Sequence, residues 1–427
     1  MMTRALIALA ALSLLAPAEA QQKPPSRREL DELVEQFLTL DFRSSDGWAE
    51  AQQVLARVEL VPPLRERDIK AWKKKIEKLW SKGTQLQKSG DHLFFADEGR
   101  GRYIVGGETK KPNGLAITMH GGGVGSGDAG SAASAYGSAL SALGLVMVAP
   151  EVLEKTEVGW TDSGTEEFVL GLVDAALRTW PIDPDRVYFV GHSMGGYGSW
   201  ALGAHHADRV AAIAPSAGAP TPIYERRGGP IVDLIEGVIP SLRNVYVSVY
   251  QSVDDPRVPP GPNQFAVGAL QKAAERWGGF AHEYWEVDGR GHGAPPGGYE
   301  AHVRRIVTHE REPIPERLVW QPVLAWKRQF HWLWWENPIP NAILTADLDR
   351  EQNAITITCD RPTEGLYVLL DERVLDLEKE IVVTVGGAEV FRGVAEPTLR
   401  TLLLTSARPD AGLQFVARVP AFAERRD

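Results

Sequence analysis

The chain has 427 residues, too long for one ordinary hydrophobic core, and this length predicts two domains. Its 44% hydrophobic and 24% charged composition is that of a folded, water-soluble protein. A net charge of −10 argues against nucleic acid or an anionic membrane surface as partner, and nothing in the composition assigns an oligomeric state.

The first residues carry a basic Arg4, an apolar run over residues 5–16 and a small-residue site at Ala18-Glu19-Ala20. This is the pattern of a secretory signal peptide over residues 1–20, which predicts a secreted or periplasmic protein. The apolar run is far shorter than the roughly 20 residues of a spanning helix, so no membrane span is expected in the mature protein. With Cys359 as the single cysteine, no internal disulfide is expected. Residues 21–90 read as a charged helical segment; in "AWKKKIEKLW" the lysines form a solvated face with Trp and Ile turned inward.

Over residues 91–311 apolar strand patterns alternate with helical ones. "GLAITMH", "LGLVMVAP", "RVYFVGH", "VYVSVYQ" and "AHEYWEVDG" read as strands, and residues 166–179 as one of the helices between them. Such alternation predicts a mostly parallel sheet with helices on both faces. The prolines of "EREPIPERLVWQP" mark a boundary, after which residues 312–340 read as a Trp-rich linker holding Trp320, Trp326, Trp332, Trp334 and Trp335. Packing between domains is the expected use of these rings; a carbohydrate-binding strip is the alternative. Residues 341–427 read as a small β-sandwich of about seven strands, "TLRTLLLTSA" among them, with Gly386-Gly387 at a tight hairpin.

The chemistry is concentrated in "RVYFVGHSMGGYGSW". Arg186 to Val190 predicts a strand and Met194 to His205 a helix, which leaves Ser193 on the turn between them. G-x-S-x-G is a weak signal alone; on a strand-to-helix turn it is the nucleophile elbow of a hydrolase. Such chemistry needs a base, an acid that orients the base, and donors aimed at the developing oxyanion. Of the histidines after Ser193, His205 and His206 end its own helix. His282 lies in a strand, His302 and His309 in a helical stretch, and His331 among the tryptophans. His292, in the Gly-rich "VDGRGHGAPPGG" directly after a strand, is the candidate base. Asp254 and Asp255, just past the preceding strand, are both candidates for the acid, and either also suits a turn cap.

"LAITMHGGGVGSGD" places Gly121, Gly122 and Gly123 at the end of a buried strand, where their N–H groups can turn toward a ligand. A phosphate loop would want a lysine after the glycines, and an aspartate stands there instead. The expected oxyanion donors are therefore Gly122 or Gly123 and Met194, with His120 bracing the loop. Trp160 and Tyr197, with Trp200, are candidates to line the acyl or aryl pocket; core packing is the alternative for Trp200. No His, Cys or carboxylate cluster has metal-ligand spacing, and neither metal nor other cofactor is expected.

In combination these motifs resemble the α/β-hydrolase superfamily. "IDPDRVYFVGHSMGGYGSWALGAHHADRVAAIAPSAG" is similar to its secreted polyhydroxybutyrate-depolymerase-like and feruloyl-esterase-like branch, over roughly residues 95–310. The resemblance implies an ester substrate, small or polymeric, with Ser193 as nucleophile, His292 as base and Asp255 as acid. Asp255 keeps the family's Asp-x-x-Val-Pro spacing, whereas Gln251-Ser252 stands where the family usually has His-Gly. A peptidase of the prolyl-oligopeptidase type is the second reading, although the first 90 residues lack a propeller's repeats. A non-catalytic polysaccharide-binding protein is the third.

Overall fold

The computed structural model describes residues 23–423; the expected signal peptide lies outside the described residues. Three helices open the chain: α1 (Arg27–Phe37), α2 (Ser45–Val58) and α3 (Glu66–Trp80). Ser26 and Ser44 cap the first two, their hydroxyl oxygens accepting from the N–H groups of Glu29 and Gly47. On α3, Trp72 and Ile76 are buried while Lys74 and Lys78 stay in water, as the basic run predicts.

Eight strands form the central sheet: β1 (Gly90–Phe95), β2 (Arg100–Gly107), β3 (Leu115–Met119), β4 (Val146–Pro150), β5 (Val187–His192), β6 (Ala212–Ser216), β7 (Tyr246–Ser252) and β8 (His282–Val287). Their order is β1-β2-β4-β3-β5-β6-β7-β8. The last six in this order run parallel; β2 is antiparallel to β4, and β1 to β2. Burial on both faces explains the continuous apolar runs of these strands. From β5, Val187 and Phe189 enter one core, which includes residues of α5 (Thr165–Thr179), α6 (Met194–His205) and α7 (Gly261–Trp277). Tyr188 and Val190 enter the other, with α4 (Ala129–Ala142) and α8 (Gly298–Val303). This is the expected α/β-hydrolase architecture.

Residues 312–340 are not a linker. They supply β9 (Arg317–Trp320), β10 (Gln329–Phe330) and β11 (Leu333–Trp335) to two further sheets. The other strands of these two sheets are β12 (Leu344–Asp349), β13 (Ala354–Cys359), β14 (Leu366–Leu370), β15 (Ile381–Val385), β16 (Ala388–Gly393) and β17 (Ala417–Pro420). The orders are β9-β12-β13-β15-β16 and β10-β11-β14-β17. Trp320 of the first sheet stacks on Phe330 of the second at 5.1 Å, so the two share a core. Trp320, Trp332, Trp334 and Trp335 are all buried, which leaves no exposed aromatic strip. Gly386 and Gly387, both at positive φ, form the expected two-residue hairpin between β15 and β16.

"TLRTLLLTSA" is a helix, α9 (Leu399–Leu404), where a strand was expected. Thr398 caps it through Thr401 N–H, and Leu399, Leu402 and Leu403 fall on one buried face at helical spacing. A short leucine run reads either way from sequence; the cap and the packing decide.

The C-terminal sheets are bonded to the rest of the chain. Arg311, buried, donates to Asp185, to Asp410 and to the carbonyl of Asp208. Lys327 pairs with Asp208, Trp80 donates to Ser406 O, and Leu64 N–H to Pro397 O. Among the described residues no helix is long and apolar enough to cross a membrane.

Candidate active site

Ser193 is the single residue between β5 and α6, at φ 60° and ψ −124°. For a residue with a Cβ this conformation costs on the order of 1–3 kcal/mol, which the surroundings must hold. Ser193 N–H donates to Ser216 O at 2.8 Å, and Ser193 O accepts from the N–H groups of Gly196 and Tyr197. The flanking glycines are required by contact. A Cβ on Gly191 would stand 2.3 Å from Gly195 O, and one on Gly195 would stand 2.0 Å from Met119 O. The elbow thus closes tightly under a half-buried Ser193.

Two loops from the same sheet edge meet this serine. His292, in the loop after β8, places Nε2 2.9 Å from Ser193 Oγ, and its Nδ1–H donates to Asp255 Oδ2 at 2.7 Å. Asp255 lies after β7 with its side chain fully buried. Its second oxygen accepts from the N–H groups of Arg257 and Val258, at 2.8 and 2.9 Å. The carboxylate is fixed on both oxygens, so it holds the imidazole in the tautomer whose Nε2 accepts a proton.

Asp254 does more than cap a turn. It accepts from Ser252 Oγ–H and from Gly291 N–H, while Ser252 Oγ accepts from Arg290 N–H. These bonds clip the His292 loop onto the end of β7, and the Ser252 and Gly291 bonds hold the Asp254 carboxyl below its usual pKa. Gln251 braces the aspartate loop from beneath: its amide donates to Ser252 O and Val258 O and accepts from Asn263. The departure at Gln251-Ser252 is thus where the supporting bonds originate. The sequence placed these residues beside the acid but carried no signal for bonds between two loops.

His192, next to the nucleophile, has its ring 4.8 Å from that of His292 and its Nδ1 2.9 Å from Ser216 Oγ. Burial pulls its pKa down to about 4, helped by the neighbouring His292, so near neutral pH it adds no charge beside the relay.

The Gly121–Gly123 loop lies against the nucleophile, since a Cβ on Gly121 would stand 3.1 Å from Ser193 Cβ. His120 Nε2 accepts from Val152 N–H, which leaves Nδ1–H to donate to Gly121 O. Burial lowers the pKa of this histidine, consistent with a neutral brace. Met194 is the first residue of α6, where a helix N–H has no intrahelical acceptor and the helix dipole favours negative charge. Met194 thus adjoins Ser193 in the chain, and of the glycine loop it is Gly121 that packs against the nucleophile, whereas Gly122 packs on Ser126 and Gly123 faces the Glu157 carboxylate.

Trp160 does not reach a pocket. It has no exposed surface, and its indole N–H donates to His120 O, which puts it beneath the glycine loop. Tyr197 is 9% exposed and bonded to Thr161 Oγ1; Trp200 is fully buried and donates to Asn263. These are core contacts. His302 lies on α8, bonded to Ser248 O, while His309 lies past the end of α8, stacked on Tyr246 at 3.7 Å.

No protein-family model matches the chain, and no curated protein aligns with it significantly. Among solved structures, it is similar to a thermostable esterase at TM-score 0.39 and 17% identity, covering 52% of this chain and 63% of that one. It is similar to Est1E from Butyrivibrio proteoclasticus at TM-score 0.34 and 16% identity, covering 48% and 90%. A ferulic acid esterase from Anaeromyces mucronatus, solved with ferulic acid, matches at TM-score 0.36 and 17% identity, covering 51% and 87%. The chain spans less than two thirds of the first of these structures.

Proposed function

We propose that the protein is an exported serine hydrolase that cleaves carboxylic esters through Ser193, His292 and Asp255. The observation that carries this reading is the continuous relay from Ser193 Oγ to His292 to Asp255, at 2.9 and 2.7 Å, mounted on a strained elbow. His292 Nε2 takes the Ser193 proton as Oγ attacks the ester carbonyl. The tetrahedral oxyanion receives N–H donors from Met194 and the Gly122–Gly123 turn, which are worth most where charge develops. His292 then returns the proton to the leaving alcohol, and water repeats the cycle on the acyl-enzyme.

The rim of the site favours a substrate with an apolar body. Val124, Val158, Ile223, Tyr224 and Val253 are exposed large hydrophobics in the segments that follow β3, β4, β6 and β7, Ile223 and Tyr224 on a short strand, Pro222–Tyr224. The carboxyl ends of these strands are where Ser193, Asp255 and His292 converge, so these residues share the catalytic edge of the sheet. Export is supported by the leader at residues 1–20. Against the peptidase reading, residues 27–80 are helical, with no propeller strand.

Labelling with a fluorophosphonate followed by peptide mapping tests the nucleophile, and Ser193 is the expected adduct. Hydrolysis of methyl ferulate and of para-nitrophenyl esters is then compared with that of a proline anilide. Faster cleavage of the anilide than of methyl ferulate would move the peptidase to first place.

A further inference from the structure

The molecule has a cavity of about 470 Å³ at the junction of the N-terminal helices, α5 and the C-terminal sheets. None of its lining residues belongs to the relay. In a parallel sheet a crossover helix returns toward the amino ends of the strands, so the last turn of α5, where Arg178 sits, lies at the opposite edge from Ser193.

The lining is cationic in a chain of net charge −10: Arg43, Lys82, Arg178, Arg328 and Arg408 stand against Asp41 and Asp174. Both acids are already engaged, Asp41 by Arg43 and Asp174 by Arg209 from behind the wall, each at 2.7 Å. Arg178 makes no hydrogen bond among the described residues, and the Arg408 side chain has only a 3.8 Å ion contact with Asp208. Arg178 Nε, Arg408 Nη1 and Trp334 Nε1 are the unpartnered buried polar atoms of the lining, and all three are N–H donors. An unpaired buried donor is costly, and an unpaired buried charge more so. Burial lowers the pKa of Arg178, Arg328 and Arg408, outweighing the opposing charges of Asp174, Glu336 and Asp208. The other walls are flat and apolar: Trp48, stacked under Arg328 at 3.9 Å and 5.9 Å from Trp334, with Trp326 and Phe94.

We propose that this cavity binds a small organic oxyanion, a carboxylate or phosphate on a flat apolar body, at a site separate from Ser193. The oxyanion accepts from the guanidinium groups of Arg178 and Arg408 and from the indole N–H of Trp334, which sets a negative charge among these donors. The ring lies among Trp48, Trp326 and Phe94. The volume is within the usual range for small-molecule sites, and the cavity draws on all three parts of the chain, so occupancy ties them together.

The test is calorimetric titration of the full-length protein with benzoate, with phenyl phosphate and with neutral benzamide, at constant ionic strength. Saturable binding of either anion without binding of benzamide is expected; the better of the two anions identifies the headgroup. In the double variant Arg178→Gln/Arg408→Gln, affinity should fall about a hundredfold or more, on the order of one charge-assisted hydrogen bond per arginine lost. Its anion-free melting temperature should stay close to that of the parent, because neither guanidinium makes a hydrogen bond that the variant would lose. No saturable binding up to roughly 10 mM, a range that includes weak pocket affinities, overturns the proposal. So do unchanged affinity in the double variant, which would place the anion elsewhere, and equal binding of benzamide. If the double variant does not fold, Trp334→Phe carries the test, since it deletes one N–H and keeps the ring. A severalfold loss of affinity supports the site, and an unchanged affinity overturns it.

Discussion

His292 meets Asp255 at 2.7 Å, and His206 meets Glu166 at 2.9 Å, yet the two contacts sit in different settings. Glu166 lies in the first turn of α5 and takes bonds from both His205 and His206 at the end of α6. His206 is sealed, with no exposed side chain and its ring stacked on Trp326 at 5.7 Å. Burial raises the Glu166 pKa, but the charge and hydrogen bond of His205, with those of His206, bring it below the usual range. This trio joins two helices. The Asp255–His292 pair differs in having a third member, Ser193, with a proton to give and a half-open position from which to use it. A histidine–carboxylate contact is therefore structural by default, and a nucleophile within reach converts it into a relay.

The largest effect that can break this contrast is Ser193→Ala. Ester turnover should fall by about 10⁵ or more, with the melting temperature nearly unchanged, as read by steady-state kinetics beside thermal denaturation. Retained hydrolysis would leave Asp255–His292 no different from Glu166–His206.

Next come the two acids. Asp255→Asn keeps the acceptor for Arg257 and Val258 but loses the hold on the imidazole tautomer, so kcat should fall about 10⁴-fold with little change in stability. Glu166→Gln should do the reverse. It replaces the carboxylate acceptor of His205 and His206 with a neutral amide in the core, at a cost of about 1–3 kcal/mol in denaturant unfolding, with kcat within a factor of two or so of the parent. If both variants lost activity equally, the separation of roles would be wrong.

Acid should weaken the folded state through its buried and half-buried histidines. Burial pulls His192, His206, His302 and His331 each down to about 4 from an ordinary 6.5. Below pH 6.5 the unfolded chain takes up protons that the folded chain refuses. Their contribution is thus fully present above pH 6.5 and is lost as the pH falls through about 4. Denaturant midpoints at pH 7.5, 6 and 5 should fall in that order; a flat profile over this window would contradict the burial.

The apolar rim should show in substrate preference. Val124→Asp places a charge where an acyl or aryl group would pass and should cut kcat/KM for butyrate or ferulate esters about tenfold, and for acetate esters less. The smallest effect is that of Asp254→Ala. By releasing Ser252 and Gly291 it should lower kcat several-fold, to about tenfold at most, far short of Asp255→Asn. Loss of activity in Asp254→Ala with activity kept in Asp255→Asn would mean that the acid is Asp254.

What was legible from the sequence was local. Largely apolar strands such as "LAITM" and "VYFVG", the glycines pressed against Ser193, and the loop positions of Ser193, Asp255 and His292 are each written in a few neighbouring residues. A tight turn selects its residues by short-range contact, and a strand buried on both faces selects an unbroken apolar run. Tertiary structure decided the rest. Residues 312–340 became strands because two sheets needed their tryptophans as a shared core, and residues 399–404 became helical because their leucines found one buried face. Trp160, read as a pocket residue, packs under the glycine loop, since a large ring follows available volume and sequence does not state where that volume lies. The Asp254–Gly291 clip spans 37 residues, and the Arg178–Arg408 cavity joins segments far apart in the chain. Contacts of that kind arise only when distant surfaces meet, and no local pattern records them.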